Sequence, residues 1–223
     1  MCGRYTITVT MEELESMFRL GPREDANYRP RYNAAPGQMI PAIVAHEGAN
    51  RLGELRWGLI PSWARGPQDG LKLINARSET AADKPSFRRL FERKRCVIPA
   101  DGFYEWDKRG GTRQPYRFVL KERPLFSMAG LYDTWIGPDG SKVSSVIILT
   151  TAANELMAPI HDRMPVILRP EDEAAWLDLT CRDLEALQAM LRPYDAAAMH
   201  AYPVSSAVGS VKNDVPELLR EIG

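Results

Sequence analysis

The sequence predicts an α+β fold with a largely antiparallel β-sheet or barrel-like core and short helices on its flanks. Three observations lead there. Short apolar or alternating runs recur along the 223 residues; Gly, Pro and Asp punctuate the gaps between them; and helical periodicity is confined to a few short stretches.

In chain order, "TMEELESMF" opens a short helix. Thr10 and Glu13 stand three apart as a capping box, and Leu14, Met17 and Phe18 recur at helical spacing. "PAIVAHE", "RLGELRWGLI", "QPYRFVLK", "LFSMAGLYDTW", "VSSVIILTT" and "MPVIL" read as strands, and "GPDGS" between the fourth and fifth reads as a hairpin turn. From "PEDEAAWLDL" to "CRDLEALQAML" the period becomes helical, with Thr180 and Asp183 as a second cap. No repeat, low-complexity tract or long linker divides the chain, so residues 1–223 are expected to form a single domain.

Composition narrows the class of function. Lys plus Arg equals Asp plus Glu at 29 each, so any nucleic-acid partner must be held by a local patch rather than by net charge. The N-terminus carries no apolar signal core and no run is long enough to span a bilayer, which predicts a cytoplasmic protein with no membrane partner. Cys2, Cys96 and Cys181 are odd in number and lack a CxxC pair, so reduced thiols are expected, with no disulfide framework, metal site or cofactor.

The chain begins "MCGRYT". Small penultimate residues permit trimming of the initiator Met1, which would leave Cys2 with an α-amine and a thiol on one carbon skeleton. With ordinary pKa values of about 8 and about 8.5, both nucleophiles are partly available near neutral pH. Further polar residues fall in segments expected to be loops. "LINARSET" alternates Asn75, Arg77 and Glu79, placing all three on one side of an extended segment. "IPADGFYEWD" sets Asp101 and Glu105 among aromatics, where burial raises a carboxyl pKa. "PIHDRMPVIL" holds His161, Asp162 and Arg163 ahead of an apolar strand. Taken singly, each has a plainer structural role. Together they supply a nucleophile, a proton shuttle and an orienting amide.

"MCGRY", "YNAAPGQ", "WGLIPSWA", "INARSETA", "RCVIPADGFYEW", "MAGLYDTW", "IHDRMPVIL" and "VSSAVGSVKN" occur in this order. Through these blocks the chain resembles the SOS response-associated peptidase (SRAP) family. The resemblance implies a protein of the DNA damage response that binds single-stranded DNA containing abasic sites and crosslinks itself to them through Cys2 after loss of Met1. The α-amine would form a Schiff base with the abasic aldehyde, and the tethered thiol would close it to a thiazolidine. By motif position, Asn75 would hold the sugar or the terminal amine, Glu105 would assist proton transfer, and His161 would act as acid or base near the sugar hydroxyl.

The same blocks nominate Gly3, Arg4, Asn33, Trp63, Arg77, Trp106 and Arg163 for DNA binding: the arginines on phosphates and the tryptophans stacked on unpaired bases. The basic stretch "SFRRLFERKRC" is interleaved with Phe87, Leu90 and Phe91 and reads instead as a solvated helix face. The resemblance further implies a monomer that joins the nucleoid only when bound to DNA. Two other readings stay open: a cysteine peptidase that removes its own leading residue by way of Cys2, Glu105 and His161, and a module that binds single strands without covalent chemistry.

Overall fold

The computed structural model describes residues 2–21, 28–109, 111 and 113–223, and two β-sheets carry these residues. The first has five strands in the order Met199–Pro203, Gln114–Leu120, Gly102–Asp107, Tyr5–Ile7 and Arg31–Ala34, all antiparallel. In the second, Lys142–Ala152, Ala49–Trp57, Met39–His46, Arg95–Ala100 and Phe126–Ile136 pair in succession. A further pairing of Phe126–Ile136 with Lys142–Ala152 closes those five strands into a ring. Closure leaves the ring without an edge. The α+β, barrel-like expectation holds, with two parallel pairings: Lys142–Ala152 runs parallel to Ala49–Trp57 and to Asn75–Arg77.

The six strand runs read from the sequence all lie on strands. "GPDGS" is the hairpin turn, closed by the Gly137 amide donating to the Ser141 carbonyl at 2.8 Å with Gly140 at φ 79°. The first helix is Met11–Phe18, and its capping box is present: Thr10 accepts from the Glu13 amide at 3.3 Å while the Thr10 amide donates to Glu13 at 2.6 Å. Leu14 and Phe18 turn into the core.

Asp183 caps Leu184–Ala189, whereas Thr180 closes a turn on Asp178 and caps nothing. Helix Pro85–Arg93 buries Phe87, Leu90 and Phe91 and leaves Arg88, Arg89 and Arg93 in solvent, the solvated face expected of that stretch. The run continues into Arg95, which is fully buried. Its guanidinium donates to the carbonyls of Phe91, Glu92, Trp176, Asp178 and Cys181, so one cation closes the ends of two helices.

Two expectations are corrected. Gly102–Asp107 is a strand rather than a loop, so Glu105 sits in a paired register opposite Tyr116. Both faces of the strand are buried from Gly102 to Glu105, so polar and aromatic residues share them. Asn75 and Arg77 also lie on a strand, but the extended segment stops at Arg77 and Glu79 is on helix Ser78–Ala81. Glu79 therefore leaves the alternation, and an arginine from another strand holds it.

Candidate functional site

The first strand begins just after Cys2, which places the chain's N-terminal corner where the two sheets meet. Cys2 is 1% exposed, and Asn75 donates from Nδ2 to the Cys2 carbonyl at 2.8 Å. Asn75 reaches it from the strand parallel to Ile148–Thr150, and its own Oδ1 is buried with no hydrogen-bond partner among the described residues. Burial and the charge of Glu105 push the Cys2 thiol well above its ordinary pKa, so it is a thiol and not a thiolate. Met1, whose removal the opening residues imply, lies outside the described residues.

Glu105 is 5% exposed, and burial raises its carboxyl above the ordinary range. It opens into a cleft of about 430 Å³ lined also by Trp106, Lys108, Arg113, His161 and Gly209. His161 stands in the turn between Lys142–Ala152 and Arg163–Pro165. Its Nδ1 accepts the Arg163 backbone N–H at 3.0 Å, and Asp162 Oδ1 lies 2.9 Å from the same nitrogen. These contacts ask opposite things of Nδ1. A backbone amide is only ever a donor, so the neutral ring keeps its lone pair on Nδ1 and its proton on Nε2. Burial lowers the His161 pKa more than Asp162 raises it, which favours that neutral ring.

The residues nominated for DNA binding separate into two groups. Arg4 is committed to the protein. It donates to Asn33 Oδ1 at 2.8 Å, to the Val208 carbonyl at 2.7 Å and to the Gly209 carbonyl at 3.0 Å, and its guanidinium carbon lies 5.9 Å from the Trp106 ring centre. Asn33 is fully buried and donates to the carbonyls of Val208, Ser210 and Asn213. Asp214 accepts the Tyr32 and Asn33 amides and pairs with Arg31 at 2.6 Å. These bonds stitch "SAVGSVKND" to the five-stranded sheet and set Gly209 on the rim of the cleft.

Arg163 is likewise held: its two terminal nitrogens grip Glu79 at 2.6 and 2.8 Å, and it also donates to the Thr150 carbonyl. Its side chain is 12% exposed. Asp101, four residues before Glu105, is spent on Thr6, Thr8 and Arg117.

Arg77 and Trp63, by contrast, are exposed, and Gly3 is half-buried. Trp63 shows 75% of its surface. It caps a second groove of about 490 Å³ with Leu59, Ile60, Pro61, Leu73 and Phe87. That loop is fastened at its base, where Gly58 and Gly70 cross so closely that a Cβ on Gly58 would meet the Gly70 carbonyl oxygen at 2.6 Å. Gly58 also has φ of 129°, a conformation open to glycine.

Lys108, Arg113 and Gly209 line the cleft without having been singled out in the sequence. The signal for the first two is the charged turn "DKRGGTR", which links Glu105's strand to the next. Gly209 arrives through the tertiary stitching of Arg4 and Asn33. Among the described residues no group of His, Cys, Asp and Glu has the arrangement of a metal site, and no helix is long and apolar enough to cross a membrane.

With this geometry in place, the chain matches the family model described as SOS response associated peptidase (SRAP) over residues 1–211. It is 48% identical to a Bacillus subtilis protein named abasic site processing protein YoqW, over 98% of this chain and 99% of that one. It is 34% identical to the Escherichia coli protein named abasic site processing protein YedK, over the full length of both. With the Gallus gallus protein named abasic site processing protein HMCES it shares 34% identity over 98% of this chain and 77% of the relative. A crystal structure of a Bacteroides thetaiotaomicron protein superposes with a TM-score of 0.87 at 29% identity, covering 99% of this chain and all of the other.

Proposed function

Because the chain belongs to the SRAP family, we propose that it processes abasic sites in DNA, and that it does so on single strands by forming a covalent adduct through Cys2. The observation that carries the reading is the convergence on Cys2 of Asn75 and Glu105, with His161 across the same cleft.

Removal of Met1 turns the Cys2 peptide nitrogen into an amine, which adds to the aldehyde of the ring-opened sugar. Water leaves as the imine forms. The thiol then adds across the C=N bond, its proton passing to the nitrogen, and the product is a thiazolidine. The high thiol pKa fits this order: the amine attacks first, and the protonated thiol waits beside the imine as an intramolecular partner. Glu105, whose carboxyl burial raises above its ordinary range, gives a proton to the sugar ring oxygen on opening, regains one from the nitrogen that has added to the aldehyde, and gives it to the leaving water. His161, neutral with Nε2 carrying the proton, donates to the sugar hydroxyl. Asn75 fixes the Cys2 backbone and keeps an open acceptor for the new amine or a sugar hydroxyl. Asn33 and Arg4 act on this site by positioning Gly209, and Arg163 by holding Glu79 and presenting its amide to His161.

A denaturing gel after incubation with an abasic single strand tests the proposal. A band that survives heat in the trimmed protein is expected, and retained binding without such a band would leave only a non-covalent module. Cys2→Ser, once trimmed, keeps the amine and loses the thiol, so its imine should be trapped by borohydride and should hydrolyse without it. No trapped species from that variant would overturn the amine-first order. Removal of Met1 by the chain's own Cys2 is the remaining peptidase reading. Appearance of the trimmed mass when aminopeptidase is absent, and its loss in Glu105→Gln, would support it.

A further inference from the structure

The arginines that the motifs put forward for phosphate contact are in good part occupied, and the cleft itself offers different cations. Arg4 spends its guanidinium on Asn33 and two carbonyls, and Arg163 is bound two-pronged to a carboxylate. A phosphate would have to displace those partners. Lys108 and Arg113 are exposed side chains on the rim of the Glu105 and His161 cleft, and among the described residues neither is ion-paired with a carboxylate. Lys108 is near enough for its charge to lower the pKa of both Glu105 and His161. Among the described lining residues Lys108 and Arg113 stand against one carboxyl group, Glu105, so the cleft carries an excess of positive charge although the whole chain has a net charge of +0.

From this we infer that Lys108 and Arg113 form a phosphate-binding edge, taking the phosphodiester next to the sugar that enters the cleft. The inference rests on the proposed reaction for the identity of the sugar, but its electrostatic content stands apart from the covalent step. A volume of about 430 Å³ lies within the ~300–1,000 Å³ typical of small-ligand sites, enough for a sugar and a phosphate side by side. The polar floor and cationic rim suit that unit better than a nucleobase, which would meet an apolar wall only at Trp106. The arrangement also divides labour: the phosphate is fixed by the turn, while the reacting carbon is left to the groups beneath it.

The test is the salt dependence of binding to an undamaged single-stranded oligonucleotide. Lys108→Gln and Arg113→Gln should each flatten the slope of log affinity against log salt by about 0.7, and the double variant by about twice that. Arg51→Gln, the same charge change on an exposed side chain that does not line the cleft, should leave the slope alone. With abasic DNA, both cleft variants should need more DNA for half-maximal adduct formation, and Arg113→Gln should reach the wild-type rate at saturation. Unchanged slopes would overturn the inference, as would a variant that alters only the pH profile of the reaction, since that would make Lys108 a modulator of Glu105 and no phosphate ligand. If the wild type itself forms no adduct, the proposed reaction fails, while the slopes still decide the phosphate edge.

Discussion

Trp63 and Trp106 look alike in the sequence, each an aromatic in a polar setting, but the fold uses them differently. Trp106 forms one wall of the cleft, packs near Tyr104, Val204, Val208 and Leu218, and has the Arg4 guanidinium beside its ring. Trp63 stands on a fastened loop with 75% of its surface in solvent, beside an apolar groove. A base stacks only on a ring with a free face, so Trp63 is suited to grip and Trp106 to shape. The same division runs through the two hollows. The cleft holds a carboxyl and an imidazole near the buried Cys2, and the groove holds apolar surface beside a ring. On the proposed function, the buried groups of the cleft set the rate, while the groove, together with the cationic rim of the cleft, sets the affinity.

Substitutions that move one quantity and leave the other break or sharpen this contrast. Cys2→Ala should give the largest effect, complete loss of the heat-stable adduct on a denaturing gel with single-strand affinity within about twofold by fluorescence anisotropy. A stable adduct from that variant would remove the cleft from the chemistry. Glu105→Gln should slow adduct formation at saturating DNA by ~10²–10⁴-fold, the range of a general acid, again without weakening binding.

On the proposed function, the two titrating groups give the reaction a pH window with a definite sign. Burial raises Glu105, so its acid form persists above the ordinary carboxylate range and is lost as pH rises through that raised value. Burial lowers His161, so its neutral form persists below the ordinary imidazole range and is lost as pH falls through the lowered value. The rate should therefore fall on both sides, and Glu105→Gln should flatten the alkaline limb alone.

Trp63→Ala should do the reverse of Cys2→Ala and Glu105→Gln. Loss of one stacking ring costs ~1–3 kcal/mol, or roughly 5- to 150-fold in affinity, with the saturated rate unchanged. A slowed saturated rate would join the groove to the chemistry. The smallest effect belongs to Glu79→Gln. Its ion pair with Arg163 is partly exposed, so the stability at stake is about 0.2–1 kcal/mol. Arg163 holds the Glu79 carboxyl below its ordinary pKa, so this contribution is present above the ordinary range and disappears as pH falls through the lowered value. Thermal midpoints across that acid range should converge for variant and wild type. The acid limb of the reaction should also shift if Glu79, through Arg163, keeps the amide on His161.

Local patterning makes much of the fold legible in the sequence. The capping box at Thr10, the six apolar runs and the "GPDGS" turn depend on neighbours within a few residues, and sequence alone states those relations. Arg95–Ala100 escaped that reading because it is buried at every position, which leaves no alternation to detect. Helix Ser78–Ala81 escaped because four residues are too few to show a period.

Residue type and motif order determined which side chains belong to the candidate site, because a cysteine beside the initiator methionine, a carboxylate among aromatics and an imidazole before a strand are visible one by one. Only the tertiary structure decided what each is free to do. Arg4 and Arg163 are as cationic in the sequence as Lys108 and Arg113, but carbonyls and a carboxylate from distant segments occupy the first pair, while the second pair is left on the rim of the cleft. Charge is a property of a residue; availability depends on which partners the rest of the chain brings within hydrogen-bond reach, and those partners here lie up to 205 positions away.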